Sequence, residues 1–236
     1  MERREITIER NVIENAIMAA KDFIKGHRRL VLYSLLGVLL AAVLGIAGSI
    51  FYEHRAASEM AKYERIMERH RAQVQSGSAT PANTFVLIEE LKTLVDSSYW
   101  GFVHDNGNYI IANLYFGAKS YNEAKVHYLK YAEQNPRSEF AVMSLQKAAV
   151  STEHMGYYED ALKVYQEMER KFGDGSYADQ ISYDIARMYQ KKGDIYKAKE
   201  YFHKVISSHP RSVFSARARH RLFLLAYQEK KAQQRI

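Results

Sequence analysis

The chain has 236 residues, of which 47% are hydrophobic and 26% charged, and its formal net charge is +7 at pH 7. This composition is typical of a folded globular chain and excludes a largely disordered one. The sequence contains no cysteine, which excludes structural disulfides, cysteine-ligated zinc, thiol catalysis and lipid attachment at a lipobox.

The N-terminal part contains an uncharged apolar run from Leu30 to Tyr52. An α-helix needs about this length to cross a bilayer core of roughly 30 Å at about 1.5 Å per residue. A cleaved secretory signal is the alternative, but the apolar region of such a signal spans only about 7–15 residues. The sequence therefore predicts an uncleaved transmembrane helix at residues 30–52, preceded by an N-terminal segment at residues 1–29.

The charges flanking the predicted span bear on its orientation. Four basic residues lie in the fifteen positions before the span, and three lie in the fifteen positions after Phe51. Because long domains are translocated largely regardless of charge, we predict a cytoplasmic N-terminal segment and an exported C-terminal domain. In a bacterium this would be a single-pass inner-membrane protein whose C-terminal domain is periplasmic.

Small residues recur every four positions along the predicted span, at Gly37, Ala41, Gly45 and Ser49. Small residues at this spacing let two membrane helices approach closely, so this face is predicted to pack against a partner helix. The alternative is that glycine is simply frequent in spanning helices. The pattern does not distinguish a homodimer from a channel partner.

Residues 53–104 are predicted to form a helical connector. It contains a helix at Glu53–Gln75, a Gly/Ser/Pro linker at residues 76–81 and an amphipathic helix at Asn83–Val95. Trp100, the single tryptophan, is expected to pack the edge of the following domain against the second of these helices. An exposed binding anchor is the alternative for this side chain.

Three segments between residues 105 and 212 align with one another at a spacing of 37 residues. Each segment has apolar residues at three- and four-residue steps in two halves, which is typical of a helix, a turn and a second helix. The coinciding positions are Ala112, Ala149 and Ala186; Ala124, Ala161 and Ala198; Tyr128, Tyr165 and Phe202; and Phe140, Tyr177 and Phe214. Since one pair cannot bury its apolar stripe alone, three stacked pairs are predicted.

Turn residues divide the three segments. Gly156 and Gly193 fall between the two helices of their pairs, and Pro136 and Pro210 are placed to end the second helices. Together with the aligned alanines and aromatics, these residues resemble the tetratricopeptide repeat. The leading tryptophan of that family is absent, and the period exceeds its usual length of about 34 residues. The resemblance implies an all-α helical-repeat solenoid.

The layout of anchor, connector and repeats is similar to that of the ancillary subunit of the bacterial Sec translocon. The resemblance implies a single-span protein that assists newly exported chains beside the channel and passes them to periplasmic chaperones. Its support is architectural, because no diagnostic binding motif is present to match. The closing P-R-S-x-F pattern also resembles bacterial envelope repeat proteins.

The register of the family predicts which first-helix side chains line the concave surface. We call these eight positions the groove residues: Tyr109, Asn113, Phe116, Gln146, Glu153, Tyr183, Arg187 and Gln190. Aromatic rings, amides and one arginine offer apolar contact and hydrogen bonds to an extended peptide. An ordinary solvated groove is the alternative. A carboxylate clamp is disfavoured, because Tyr109 stands where the clamp lysine would precede Asn113.

No residue constellation predicts catalysis, a cofactor or a metal ion. The nine histidines are scattered, none of them has the spacing of a metalloprotease pair, and no glycine-rich phosphate loop occurs. The sequence therefore predicts a protein that is not an enzyme.

The basic residues concentrate in the C-terminal tail, where Arg211 to Ile236 carries seven Lys and Arg against one acid. Residues 213–236 are predicted to form a helix that caps the last repeat and shows a polar outer face. Arg217, Arg221 and Lys231 on that face are expected to contact an anionic surface, either lipid headgroups or an acidic partner. The confinement of the basicity to the tail disfavours nucleic acid as a partner.

Two functions remain open from the sequence. The first is a membrane-anchored scaffold or chaperone-like adaptor that binds protein or peptide partners. The second is a fixed structural component of an envelope or flagellar assembly, with the repeats packed permanently on their neighbours.

Overall fold

The computed structural model describes residues 2–234, with side chains from residue 14 onward. Met1 and residues 235–236 lie outside this range, and with them the extreme ends of the predicted segments 1–29 and 213–236. The described residues form ten α-helices and no strand, which confirms the all-α prediction. The helices are α1 (Glu2–Gly26), α2 (Arg28–Gln75), α3 (Pro81–Asp96), α4 (Gly101–Gly117), α5 (Tyr121–Gln134), α6 (Glu139–His154), α7 (Tyr158–Phe172), α8 (Ala178–Lys192), α9 (Ile195–Ser208) and α10 (Val213–Gln233).

The first of two compact units comprises Met1–Ser58. It contains α1 and the apolar first part of α2, the described helix that is long and apolar enough to cross a membrane by length and composition. Apolar side chains point outward all along this part, with Leu35 63%, Val38 69% and Leu44 63% exposed. No described residue covers them.

Helix α2 continues without interruption to Gln75. The sequence predicted a span followed by a distinct helix at Glu53–Gln75. The structure has one helix instead, because residues 53–75 contain neither glycine nor proline and are rich in Ala, Glu and Arg, which favour helix.

The second compact unit comprises Glu59–Ile236, and its first buried layer is formed around α3. Thr80 caps α3 by accepting a hydrogen bond from the backbone N–H of Asn83, and Pro81 occupies the first turn, where its missing N–H costs nothing. Leu87, Ile88 and Leu91 are at most 1% exposed and share a core cluster with residues of α4.

Three helix pairs follow, namely α4 with α5, α6 with α7, and α8 with α9. The six aligned alanines are all fully buried, since a side chain of one carbon lets two helices approach closely. Tyr128, Tyr165 and Phe202 fill the adjoining space and are also fully buried. Burial of one such ring stabilises the fold by about 2–3 kcal/mol.

The turns within the pairs depend on backbone conformations that glycine adopts without strain. Gly156 and Gly193 have φ values of 81° and 84°, in the left-handed region. Pro136 and Pro210 follow the ends of α5 and α9, as the sequence predicted.

Helix α10 packs on the third pair through Ala218 and Leu225, which are 0% and 3% exposed. The outer face of α10, which was expected to be polar, also carries two exposed aromatic rings. Phe223 and Tyr227 are 67% and 59% exposed, because they lie on the opposite side of α10 from its buried residues.

Candidate functional site

Polar side chains of the second and third pairs are joined in one hydrogen-bonded group, which we call the ion network. Arg187 on α8 donates from Nη1 to Oδ1 of Asp184 at 2.7 Å and from Nη2 to Oε2 of Glu153 at 2.5 Å. Gln146 donates to Oδ2 of Asp184 at 3.3 Å. Tyr165 donates from its hydroxyl to Oε1 of Glu153 at 2.8 Å. The network therefore connects α6, α7 and α8.

Burial sets the protonation behaviour of this network. Burial raises the pKa of Asp184, while the nearby Arg187 guanidinium acts in the opposite direction. Burial would lower the pKa of Arg187, but the carboxylates of Glu153 and Asp184 raise it overall. Burial also raises the pKa of Tyr165, so its hydroxyl stays a neutral donor. The two carboxyl groups of Glu153 and Asp184 therefore share one guanidinium.

The first pair presents aromatic rings and an amide in place of charges. The Tyr128 hydroxyl donates to Oδ1 of Asn113 at 2.7 Å. Tyr109 packs against Tyr128, Tyr131 and Phe140, with ring centroids 5.9, 5.4 and 5.8 Å apart. Tyr109 and Asn113 therefore both contact the buried Tyr128, which fixes their positions.

A second aromatic group joins α4, α5 and α6, and we call it the aromatic cluster. Tyr121 and His154 stack with ring centroids 4.5 Å apart and an angle of 9° between their planes. Phe116 meets His154 edge-on at 5.5 Å. The Lys147 ammonium lies 5.2 Å from the centroid of the Phe116 ring, within range of a cation–π contact.

The eight groove residues differ in their contacts and in their burial. Gln146, Glu153 and Arg187 come together in the ion network, and Gln190 is half-buried on α8. The prediction that Tyr183 is exposed on the groove was wrong. It is 7% exposed and packs against Phe202 and Phe214, each with a ring-centroid distance of 5.6 Å.

Sequence reasoning missed five members of these two groups: Asp184, Tyr165, Tyr121, His154 and Lys147. Asp184 carried a usable signal, since it lies three residues before Arg187 on the same helix, where opposite charges pair. The other four residues had no such signal in the sequence, because their partners lie on different helices.

The ion network borders little enclosed space. The pocket lined by Gln146 and Asp184 has a volume of about 10 Å³, roughly the room for one water molecule. Among the described residues, no group of three His, Asp or Glu side chains is arranged to hold a metal ion. The arrangement offers surface contacts and hydrogen bonds rather than an enclosed small-molecule site.

The other predicted sites lie on the surface of the described structure. A Cβ atom added to Gly37 or Gly45 would meet no atom within 4 Å, so the small-residue face is uncovered. Arg217 lies 5.1 Å over the Phe214 ring. Lys231 is exposed, whereas Arg221 is half-buried. Trp100 precedes α4 at its N-cap position and is 36% exposed.

Helix pairs at a fixed period, joined through half-buried polar contacts, define a helical-repeat protein. The chain belongs to the tetratricopeptide repeat-like domain family, which matches residues 100–235. The match covers all three pairs and the whole of α10, and it confirms the predicted repeat class. Repeats of this class are generally scaffolds for protein–protein contact and are typically not catalytic.

A solved structure of tetratricopeptide-like repeats shows the same fold. TPR-like repeats assigned to a kinesin light chain of Podosopora anserina are 15% identical to this sequence, cover 72% of this chain and 90% of that chain, and have a TM-score of 0.51. A variant of those repeats with one glutamine replaced by methionine is 15% identical to this sequence. The match covers 63% of this chain and 77% of that chain, with a TM-score of 0.48. No curated protein matches the sequence.

Proposed function

We propose that this chain is a membrane-anchored scaffold whose repeat domain binds extended polypeptides in the cell envelope. The observation that carries the proposal is the row of half-exposed side chains along the first helices. Phe116 of the aromatic cluster and Glu153 of the ion network occupy equivalent positions of α4 and α6, 37 residues apart, and both are half-buried. Aromatic rings give an extended chain apolar contact, and Gln146, Glu153 and Arg187 give its backbone hydrogen-bond partners.

The membrane anchor in this proposal is the apolar part of α2. A helix that is uncovered on every side by the described residues needs lipid or partner helices around it. The small face at Gly37, Ala41, Gly45 and Ser49 is proposed as the contact for such a partner helix. The N-terminal segment is proposed to be cytoplasmic and the repeat domain periplasmic, in a bacterial inner membrane.

The resemblance to the ancillary subunit of the Sec translocon refines the proposal. It makes the ligands newly exported chains and the role chaperone-like, beside the channel. The absence of an enclosed pocket next to the ion network agrees with a ligand held along a surface. Such a ligand is bound by many weak contacts, so its sequence is read only loosely.

Site-specific cross-linking tests this proposal in the full chain. A photoreactive residue at Phe116, in the aromatic cluster, is compared with one at Val126, which is 54% exposed on the second helix α5. Cross-links from position 116 to many different exported chains, with few from position 126, support the scaffold. One stoichiometric partner at both positions supports the alternative of a fixed structural component. An absence of cross-links from position 116 rejects the groove as a binding surface.

A further inference from the structure

Helix α10 is, by register, the first helix of a fourth pair. The spacing of 37 residues that relates Phe140 on α6 to Tyr177 before α8 leads next to Phe214 on α10. Ser138 and Ser212 likewise cap α6 and α10 in the same way, each accepting a hydrogen bond from the backbone N–H two residues later. The surroundings of α10 can therefore be compared position by position with those of the preceding first helices.

In each complete pair, one stripe of the first helix faces its own second helix. On α4, Asn108 donates to Gln134 of α5 at 2.8 Å, and Tyr115 stacks on His127 of α5 at 5.5 Å. On α8, Tyr189 lies 5.6 Å from the ring of Tyr201 on α9. The stripe consists of Asn108, Ala112 and Tyr115 on α4 and of Ser182, Ala186 and Tyr189 on α8, and each of these residues is at most 8% exposed.

On α10 the same stripe consists of Arg219, Phe223 and Ala226, and all three are exposed. Phe223 takes the place of the fully buried Ala112, Ala149 and Ala186, yet it is 67% exposed. Tyr227, next to this stripe, is 59% exposed. No described residue packs over this surface, which we call the open stripe. Two large aromatic rings thus lie on the side of α10 that corresponds, in the complete pairs, to the side on which the second helix packs.

All but one of the charged residues of α10 are basic. Arg217, Arg219, Lys230 and Lys231 are all exposed on α10. Glu229 is the one acid of this helix, and its carboxylate already accepts hydrogen bonds from Lys199 at 2.7 Å. A helix that packs against the open stripe therefore meets a basic rim.

We propose that the open stripe binds an acidic amphipathic helix of a partner protein, which packs on α10 as a second helix packs on the first helix of a pair. Phe223 is the apolar anchor, and Arg219 and Lys230 pair with carboxylates of the incoming helix. A second copy of α10 is disfavoured as the occupant, since two basic rims repel each other. This surface is distinct from the groove residues, and its test is independent of the proposed function.

The bulk of Phe223 adds a requirement for the partner. Both helices of each pair carry a fully buried alanine, whose small side chain lets helices pack closely. Phenylalanine in that position fills the space that the backbone of a regular second helix would occupy. The partner helix therefore needs a small residue or a gap opposite Phe223, which would distinguish it from helices of ordinary repeats.

The test is photocrosslinking of the full chain in its native membranes. A photoreactive residue replaces Phe223, and a control replaces Tyr157, which is 60% exposed in the turn before α7. We expect position 223 to cross-link to a segment of another protein that has helical apolar periodicity and a net negative charge. Position 157 should not cross-link to that segment.

Charge reversal then tests the basic rim. Arg219→Glu with Lys230→Glu should lower the cross-linking yield at position 223 by about tenfold. Arg137→Glu with Lys130→Glu, two exposed sites elsewhere, should leave the yield unchanged. If the first pair of changes lowers the melting temperature, Lys230→Glu alone replaces it. Cross-links at position 223 to a second copy, to lipid, to a basic segment or to nothing overturn the proposal, as does a yield that charge reversal leaves unchanged.

Discussion

Arg187 on α8 lies 2.5 Å from the carboxylate of Glu153 on α6, and the two residues are 34 positions apart in the chain. The pair links the first helices of consecutive repeats. Its side chains are 27% and 11% exposed, so water screens the attraction only partly. The same guanidinium holds Asp184, which makes Arg187 the single cation between two largely buried acids.

Replacing Arg187 with methionine should destabilise the repeat domain by about 2 kcal/mol. The substitution leaves the Glu153 and Asp184 carboxylates close together without their cation, and the loss from breaking a buried pair is reduced here by the partial exposure of Arg187. Thermal unfolding of the full chain in detergent, followed by circular dichroism, measures the change. Lys163→Met is the control, because Lys163 pairs with Asp160 on the open surface. Equal effects of the two substitutions would contradict the assigned role of Arg187.

Asp184 should make the stability of the domain depend on pH in a direction unusual for an acid. Burial raises its folded-state pKa above the ordinary value of 3.8. At a pH between the unfolded-state and the folded-state pKa of Asp184, the unfolded chain has lost a proton that the folded chain retains. The free energy of unfolding therefore falls as the pH rises through this range. In Asp184→Asn, this part of the pH dependence should disappear.

The measurement is the difference in melting temperature between wild type and Asp184→Asn across the acidic range. Asp160→Asn provides a comparison with the opposite sign. A hydrogen bond from Lys163 lowers the pKa of Asp160, so its contribution is lost as the pH falls. A difference for Asp184→Asn that stays constant with pH would show that its carboxyl titrates alike in the folded and unfolded chains.

The repeat architecture could be predicted from the sequence because its constraints are local. A fixed spacing of small and aromatic residues marks where helices of a pair meet, and all six aligned alanines are indeed fully buried. The boundary between the predicted span and the helix Glu53–Gln75 could not be judged in the same way. Residues 53–75 simply lack a helix-ending signal, and the helix α2 runs through them.

The candidate site was predicted less completely than the fold. Glu153 and Arg187 were both placed on the groove, but their pairing depends on how one repeat stacks on the next, which helical periodicity does not encode. The family register predicted Tyr183 on the groove, but its ring lies in the core. Packing against Phe202 and Phe214 stabilises the ring more than exposure to water would. Asp184 stands where the other repeats have Ile110 and Lys147, so no repeated residue type marked it.

Deletion of residues 1–52 should leave a soluble, helical domain that unfolds cooperatively. The core clusters run from Ile66 to Leu225 and include none of the described residues of the deleted segment. Size-exclusion chromatography and thermal unfolding of the shortened chain check this. An aggregated or unfolded product would contradict the division into an anchor and an independently stable repeat domain.

Replacement of both Gly37 and Gly45 with leucine should weaken association with a membrane partner without preventing insertion. The larger side chains keep two helix backbones apart, while the span stays equally apolar. Co-purification in mild detergent measures the association, and resistance to alkaline extraction measures insertion. Leu32→Ile with Leu40→Ile, at exposed positions on the opposite side of the helix from the small face, is the matched control. Unchanged co-purification in the glycine variant would assign this face to lipid.

The repeat register predicts opposite consequences for two equivalent positions. Ala186→Leu should destabilise the domain by about 2 kcal/mol, because the added carbons enter a space that α8 and α9 already fill. Phe223→Ala should change stability by less than about 0.5 kcal/mol, because the ring is mostly in solvent. Chemical denaturation of both variants beside Val126→Ala, a truncation of another exposed apolar residue, compares them. A large loss for Phe223→Ala would mean that its ring stabilises α10 within the chain, and the open stripe would then be part of the fold rather than a surface kept for a partner.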